Sequence, residues 1–237
     1  MVEIARRSPR SKDMLILSVL LKSVILLFSL GAFIVTVVEA IEDRSALIFS
    51  YFTIISNFFI LVTTIVFLVA DIGRYFDKAW YGGRLVFMLR FFAIIAITMT
   101  GLLFDFVLVP VGGIELLNSF TSVSFHVVIP FLSMADFILT NTVYKIRIAD
   151  IFLSLVYPIV YLGMIMAMSY SGVRWDGGTT AAPYPFLDYL ANTWFGKGDY
   201  IGVFYWIWIL LAVFLLLGFL YRFLQYIAKR RHFHLFR

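Results

Sequence analysis

The stretch FSYFTIISNFF, residues 49–59, opens a long apolar run yet carries Thr53, Ser56 and Asn57 close together. Polar side chains in a hydrocarbon surrounding cost free energy unless their hydrogen bonds are met. Ser50, Thr53, Asn57 and Thr64 are spaced by three, four and seven residues, which sets them along one helix stripe. A second run, Phe120–Thr140, repeats the pattern with Ser122, His126, Ser133 and Thr140, and His126 is the one histidine inside any apolar run. An ionisable side chain at membrane depth points by default to function. A hydroxyl beside an imidazole is the pairing that nucleophilic catalysis uses. Two plainer roles stay open: hydroxyls that bond back to the carbonyl four residues earlier, and small polar groups that join helices. Pro130 lies four residues after His126 and has no N–H, so the His126 carbonyl loses its helical partner and the backbone opens beside the imidazole.

The elements that carry these residues are set by composition. Of 237 residues, 62% are hydrophobic and 14% charged, with a mean hydropathy of +0.98. Soluble domains are roughly 45–50% apolar. Six runs reach the roughly 20 apolar residues that a helix needs to cross a bilayer: 14–38, 47–70, 85–108, 120–140, 148–170 and 201–226. They are continuous rather than alternating, which favours helices over a barrel. The predicted fold is an all-α integral membrane protein, a single bundle of six transmembrane helices. The first run exceeds the roughly 7–15 apolar residues of a signal peptide and reads as a permanent span. Without cysteine there is no disulfide, thiolate metal site or cysteine nucleophile. No metal or cofactor motif is present. The net charge of +5 reflects basic residues flanking the spans, so membrane lipid rather than nucleic acid is the expected partner.

Fourteen Lys and Arg residues fall on one side of these spans, including Arg6, Arg7, Arg10, Lys78 and Arg237, against Arg44, Arg174 and Lys197 on the other. The positive-inside rule then puts both termini in the cytoplasm. The basic, aromatic tail anchors at an anionic leaflet, with His232 and His234 as surface residues. Thr53 lies six residues beyond Leu47, and His126 six beyond Phe120, so each is roughly 9 Å below the outer boundary. The two side chains meet if their helices pack. Asp105, near the outer end of the third span, is placed to orient His126 or a water. Asp136 lies roughly 15 Å further in than His126, and a buried pair with Lys22 or Arg90 explains it. The segment 171–200 is long for a connection and holds Trp175, Tyr184, Tyr189 and Trp194. It reads either as an interfacial aromatic strip or as a cap over an outward cavity.

Three fragments carry a family likeness. YFTIISN around Thr53, FHVVIPF around His126 and YPFLD at Tyr184–Asp188 resemble the androgen-induced-protein family of six-span membrane proteins. Its animal members hydrolyse fatty acid esters of hydroxy fatty acids with a threonine nucleophile. Span count, fragment order and spacing agree over most of the chain. Animal members carry a second histidine just before the essential one, where this chain reads SVSF, which is closer to the bacterial six-span branch; the short loops and compact chain suggest a bacterial cytoplasmic membrane. The resemblance implies that Thr53 is the nucleophile and His126 the base, with Tyr184 and Asp188 in an outer cap and lipid esters as substrates. Ser56 or Asn57 would then donate to the oxyanion, an interaction worth about 10²–10³ in rate. Two other readings remain on the residues alone: a lipid-binding scaffold in which both stripes are packing, and a proton-coupled transporter relaying through Lys22, Asp105, His126 and Asp136.

Overall fold

Six stretches of apolar sequence form six helices long and apolar enough to cross a membrane, as a multi-pass membrane protein requires: α1 (Lys12–Glu42), α2 (Phe52–Tyr75), α3 (Gly83–Gly112), α4 (Phe120–Thr140), α5 (Ile148–Tyr170) and α6 (Val203–His234). The structure is a computed structural model describing residues 12–76, 83–140, 144–198 and 201–234, with side chains as far as Ala228. Arg6, Arg7, Arg10, Lys78, Asp199 and Arg237, and the side chains of Lys229, Arg230, Arg231, His232 and His234, lie outside the described residues. Among the described residues, regular structure is helical apart from one isolated antiparallel bridge between Trp175 and Thr180.

Burial sorts the helices. From Ala93 to Gly101 every residue of α3 is buried, so α3 is the central post. It packs against α2, α4 and α6, while α1 closes the group against α2 and α4. On α1, α5 and α6 only 22% of the most apolar stretch is buried, which leaves Leu27, Val160 and Leu216 facing outward. Lipid tails solvate such faces at no hydrophobic cost.

Prolines shape the two helices that matter most. Pro110 in α3 follows a π turn at Phe104–Leu108, and Pro130 in α4 follows one at Ser124–Val128. A proline offers no N–H to the carbonyl four residues back, and a π turn absorbs the mismatch. The two interruptions have the same offset from their prolines. A Cβ on Gly101 would sit 3.1 Å from the His126 carbonyl oxygen and 3.3 Å from Pro130 Cβ. Glycine at that position lets α3 approach the opened backbone of α4.

Helix α2 starts later than the hydropathy suggests. Leu47–Ser50 is a separate 3₁₀ turn and Tyr51 is extended, so Thr53 is the second residue of α2 rather than the seventh of a longer helix. Hydropathy registers apolar character, not the backbone break. Equal depth counted from Leu47 and Phe120 therefore assumes a wrong start for α2, although the two side chains do meet.

At the opposite end of α2 and α4, a buried ion network ties four helices together. Lys22 Nζ lies 2.7 Å from Asp136 Oδ1 and 3.0 Å from Asp71 Oδ2. Arg90 reaches Asp136 Oδ2 at 2.9 Å, and Arg74 reaches Asp71 Oδ1 at 2.9 Å. Thr64 and Thr140 hydroxyls complete the shells of Arg90 and Asp136. Asp136 thus pairs with both Lys22 and Arg90, where a pair with either was expected. Asp71 and Arg74, just past the predicted span, are the added members.

Candidate active site

The 3₁₀ turn and the extended Tyr51 put Thr53 where its hydroxyl has no ordinary outlet. Deeper threonines return their hydroxyls to the carbonyl four residues earlier: Thr63 to Phe59, Thr98 to Ile94, Thr100 to Ala96. Four residues before Thr53 lies the turn outside the helix, and its Oγ1 instead contacts His126 Nε2 at 3.3 Å and the Tyr184 hydroxyl at 3.3 Å. These distances are long for hydroxyl hydrogen bonds.

His126 is fixed from two directions. Its ring stacks on Phe104, with centroids 3.7 Å apart and planes 13° from parallel. Its Nδ1 faces the Ser122 carbonyl at 2.9 Å. A carbonyl only accepts, so Nδ1 carries the proton of the neutral ring and Nε2 presents a lone pair. Thr53 Oγ1 therefore donates to Nε2. The Tyr184 hydroxyl accepts the Thr53 amide proton at 3.2 Å, which leaves its own proton to be donated to Thr53 Oγ1. Every polar contact of the threonine then has a direction, and its proton points at His126 Nε2.

The sequence-based assignments of the supporting residues change here. Asp105 is exposed on the α3 π turn and makes no hydrogen bond to His126. The Ser122 carbonyl orients the imidazole instead, a backbone role without a sequence signature. Asn57 spends its amide hydrogens on the carbonyls of Thr53 (2.8 Å) and Phe125 (3.2 Å), joining α2 to α4. Ser56 is fully buried between the Thr53 carbonyl (3.0 Å) and Thr100 Oγ1 (2.7 Å). Neither lines the cavity, so neither is available to an oxyanion.

The loop after α5 folds over this end of the bundle. Trp175 is buried and donates Nε1–H to Ser50 Oγ at 2.9 Å. Asp188 is buried and accepts from the amides of Ala181, Leu190 and Ala191, which makes it a brace of the cap rather than a contact of the site. Tyr184 reaches the site itself. Its ring stacks on Phe186 at 5.4 Å and meets Tyr51 edge-on at 5.7 Å. Burial pushes the Tyr184 hydroxyl up to about 12, so it stays protonated at neutral pH. The Tyr161 hydroxyl does the same for the preceding residue, accepting the Phe52 amide at 3.1 Å. Two tyrosine hydroxyls from distant segments thus satisfy the first amides of α2, which lack intrahelical partners.

Thr53 and His126 open into a cavity of about 580 Å³, within the range of small-molecule sites. Ile54, Phe104, Leu108 and Phe125 contribute apolar wall, and Glu39, Asp43 and Asp176 contribute carboxylates. No lysine or arginine lines it among the described residues. No family model, curated protein or solved structure matches the chain.

Proposed function

We propose that this chain is a membrane ester hydrolase that cleaves lipid esters with Thr53 as nucleophile and His126 as general base. The observation that carries the reading is the contact between Thr53 Oγ1 and a His126 Nε2 whose tautomer is set by the Ser122 carbonyl. His126 takes the Thr53 proton as Oγ1 attacks the ester carbonyl, then returns it to the leaving alcohol. Water, activated by the same nitrogen, releases the acid from the acyl-threonine. The apolar wall suits an acyl chain. Carboxylates with no lysine or arginine beside them in the lining, among the described residues, disfavour anionic head groups and favour departure of the carboxylate product. The likeness to six-span threonine hydrolases of fatty acid esters of hydroxy fatty acids leads to the same chemistry. The bias of Lys and Arg across the loops supports a site toward the extracytoplasmic leaflet with both termini inside, and the short loops and compact chain support a bacterial cytoplasmic membrane.

The test uses purified protein in detergent and a panel of fluorogenic acyl esters. Turnover should disappear in Thr53→Ala and His126→Ala. An acyl fluorophosphonate should label Thr53, located by peptide mass analysis. Activity that survives Thr53→Ala, or label on another side chain, refutes the assignment. No turnover by the wild-type chain across the panel favours a lipid-binding scaffold.

A further inference from the structure

With Ser56 and Asn57 committed elsewhere, neither side chain expected to donate to the negative charge that develops on the carbonyl oxygen is placed to do so. The geometry points to Tyr184 as that donor: a catalytic residue supplied by the cap, whose O–H moves from Thr53 Oγ1 to the oxyanion as the tetrahedral intermediate forms. This rests on the Thr53–His126 reading.

Three observations support it. The Tyr184 hydroxyl touches the reacting atom, at 3.3 Å from Thr53 Oγ1. It already accepts the Thr53 amide, so the proton it holds is the one it offers to the site. The ring is clamped between Phe186 and Tyr51, which supplies the fixed geometry that electrostatic stabilisation requires. In the resting site the Tyr184 proton rests on a lone pair of Thr53 Oγ1. When that oxygen bonds to the carbonyl carbon, its proton passes to His126 Nε2 and the carbonyl π pair moves onto the carbonyl oxygen. The attacking oxygen becomes a poorer acceptor just as a stronger one appears beside it, and the Tyr184 hydrogen bond shifts there. Collapse restores the carbonyl, the leaving alkoxide takes the proton from His126, and Tyr184 turns back. Hydrolysis of the acyl-threonine repeats the sequence with water as the nucleophile. Tyr184 keeps its proton throughout, as burial of its hydroxyl favours.

The experiment compares wild type, Tyr184→Phe and Thr53→Ala, measuring kcat, KM and inhibition by an acyl trifluoromethyl ketone, which forms a tetrahedral adduct with the nucleophile. Tyr184→Phe keeps both ring contacts. It should lower kcat by about 10²–10³ with KM little changed, and weaken the ketone by a similar factor. Losing the acceptor of the Thr53 amide alone would alter thermal stability and leave ketone affinity intact. A kcat within about threefold of wild type, or unchanged ketone affinity, overturns the role of Tyr184. Full activity in Thr53→Ala instead overturns the nucleophile, and an inactive wild type removes both. Should Tyr184→Phe fail to fold, difluorotyrosine at the same position retains the hydroxyl as a stronger donor. Tighter ketone binding is then expected, and unchanged binding refutes the role.

Discussion

Replacing Asp136 by Asn tests whether the buried ion network is a structural clamp, because the two residues match in shape and differ in charge. Three cations (Lys22, Arg74, Arg90) meet two carboxylates (Asp71, Asp136) in the network. Asp136 serves two of the cations, and the side chains of Lys22, Arg90 and Asp136 are at most 3% exposed. In Asp136→Asn, Lys22 retains Asp71, but Arg90 loses its only ion-pair partner among the described residues. Its remaining contacts are the Thr63 and Thr64 hydroxyls and the face of Phe67. Stranding a buried charge costs about 3–5 kcal/mol. At about 2–4 °C per kcal/mol for a chain of this size, that is a fall in Tm of roughly 6–20 °C. Lys22→Met has a different arithmetic, since it leaves two pairs, Arg74–Asp71 and Arg90–Asp136, with no cation stranded. Its cost should be the smaller of the two. The assay is thermal unfolding in detergent, followed by loss of the monodisperse peak after heating. Ester turnover is measured in parallel, well below the transition. Asp136 lies ten residues beyond His126 in α4, roughly 15 Å along the axis, so turnover per folded molecule should hold. A Tm within about 2 °C of wild type, or a larger loss in Lys22→Met, would refute the charge argument. Normal Tm with abolished function would instead assign Asp136 to a proton relay.

Asn57→Ala should lower stability by about 1–3 kcal/mol, through two lost bonds to carbonyls, while kcat changes by less than about tenfold. A loss in kcat as large as that of Tyr184→Phe would return Asn57 to the oxyanion site. Alkaline pH should loosen the cap. The Tyr184 hydroxyl is raised to about 12 by burial, and Tyr51 is raised by burial and by the charge of Asp176. The unfolded phenols ionise first, near about 10. Stability is therefore whole below that value and declines as pH rises toward the folded values. Protease nicking of the loop should increase across that interval for wild type, and less steeply for Tyr184→Phe.

Sequence alone determined the membrane class, the six helices and the two residues on which the proposed chemistry rests. Those properties are local. Twenty apolar residues must satisfy their own backbone in lipid, and a lone histidine among them is visible without coordinates. The expected pairing of Asp136 with buried cations was legible for the same reason, since a charge in that setting needs a counter-charge. The start of α2 was not, because a 3₁₀ turn and an extended tyrosine differ from helix in backbone angle and not in hydropathy. That displacement frees the Thr53 hydroxyl. The supporting cast was decided only by tertiary structure. Ser56 and Asn57 lie one turn beyond Thr53, yet Asn57 gives its amide hydrogens to two backbone carbonyls and Ser56 is held between a carbonyl and the Thr100 hydroxyl. Asp105 has the right charge but faces outward. The group that sets the His126 tautomer is a carbonyl, which every residue has. Tyr184 arrives from 131 residues away because a tryptophan and an aspartate fix the loop that carries it. One-dimensional spacing identifies the groups able to react. The direction of each proton depends on which acceptors the packed helices and the docked loop bring within reach.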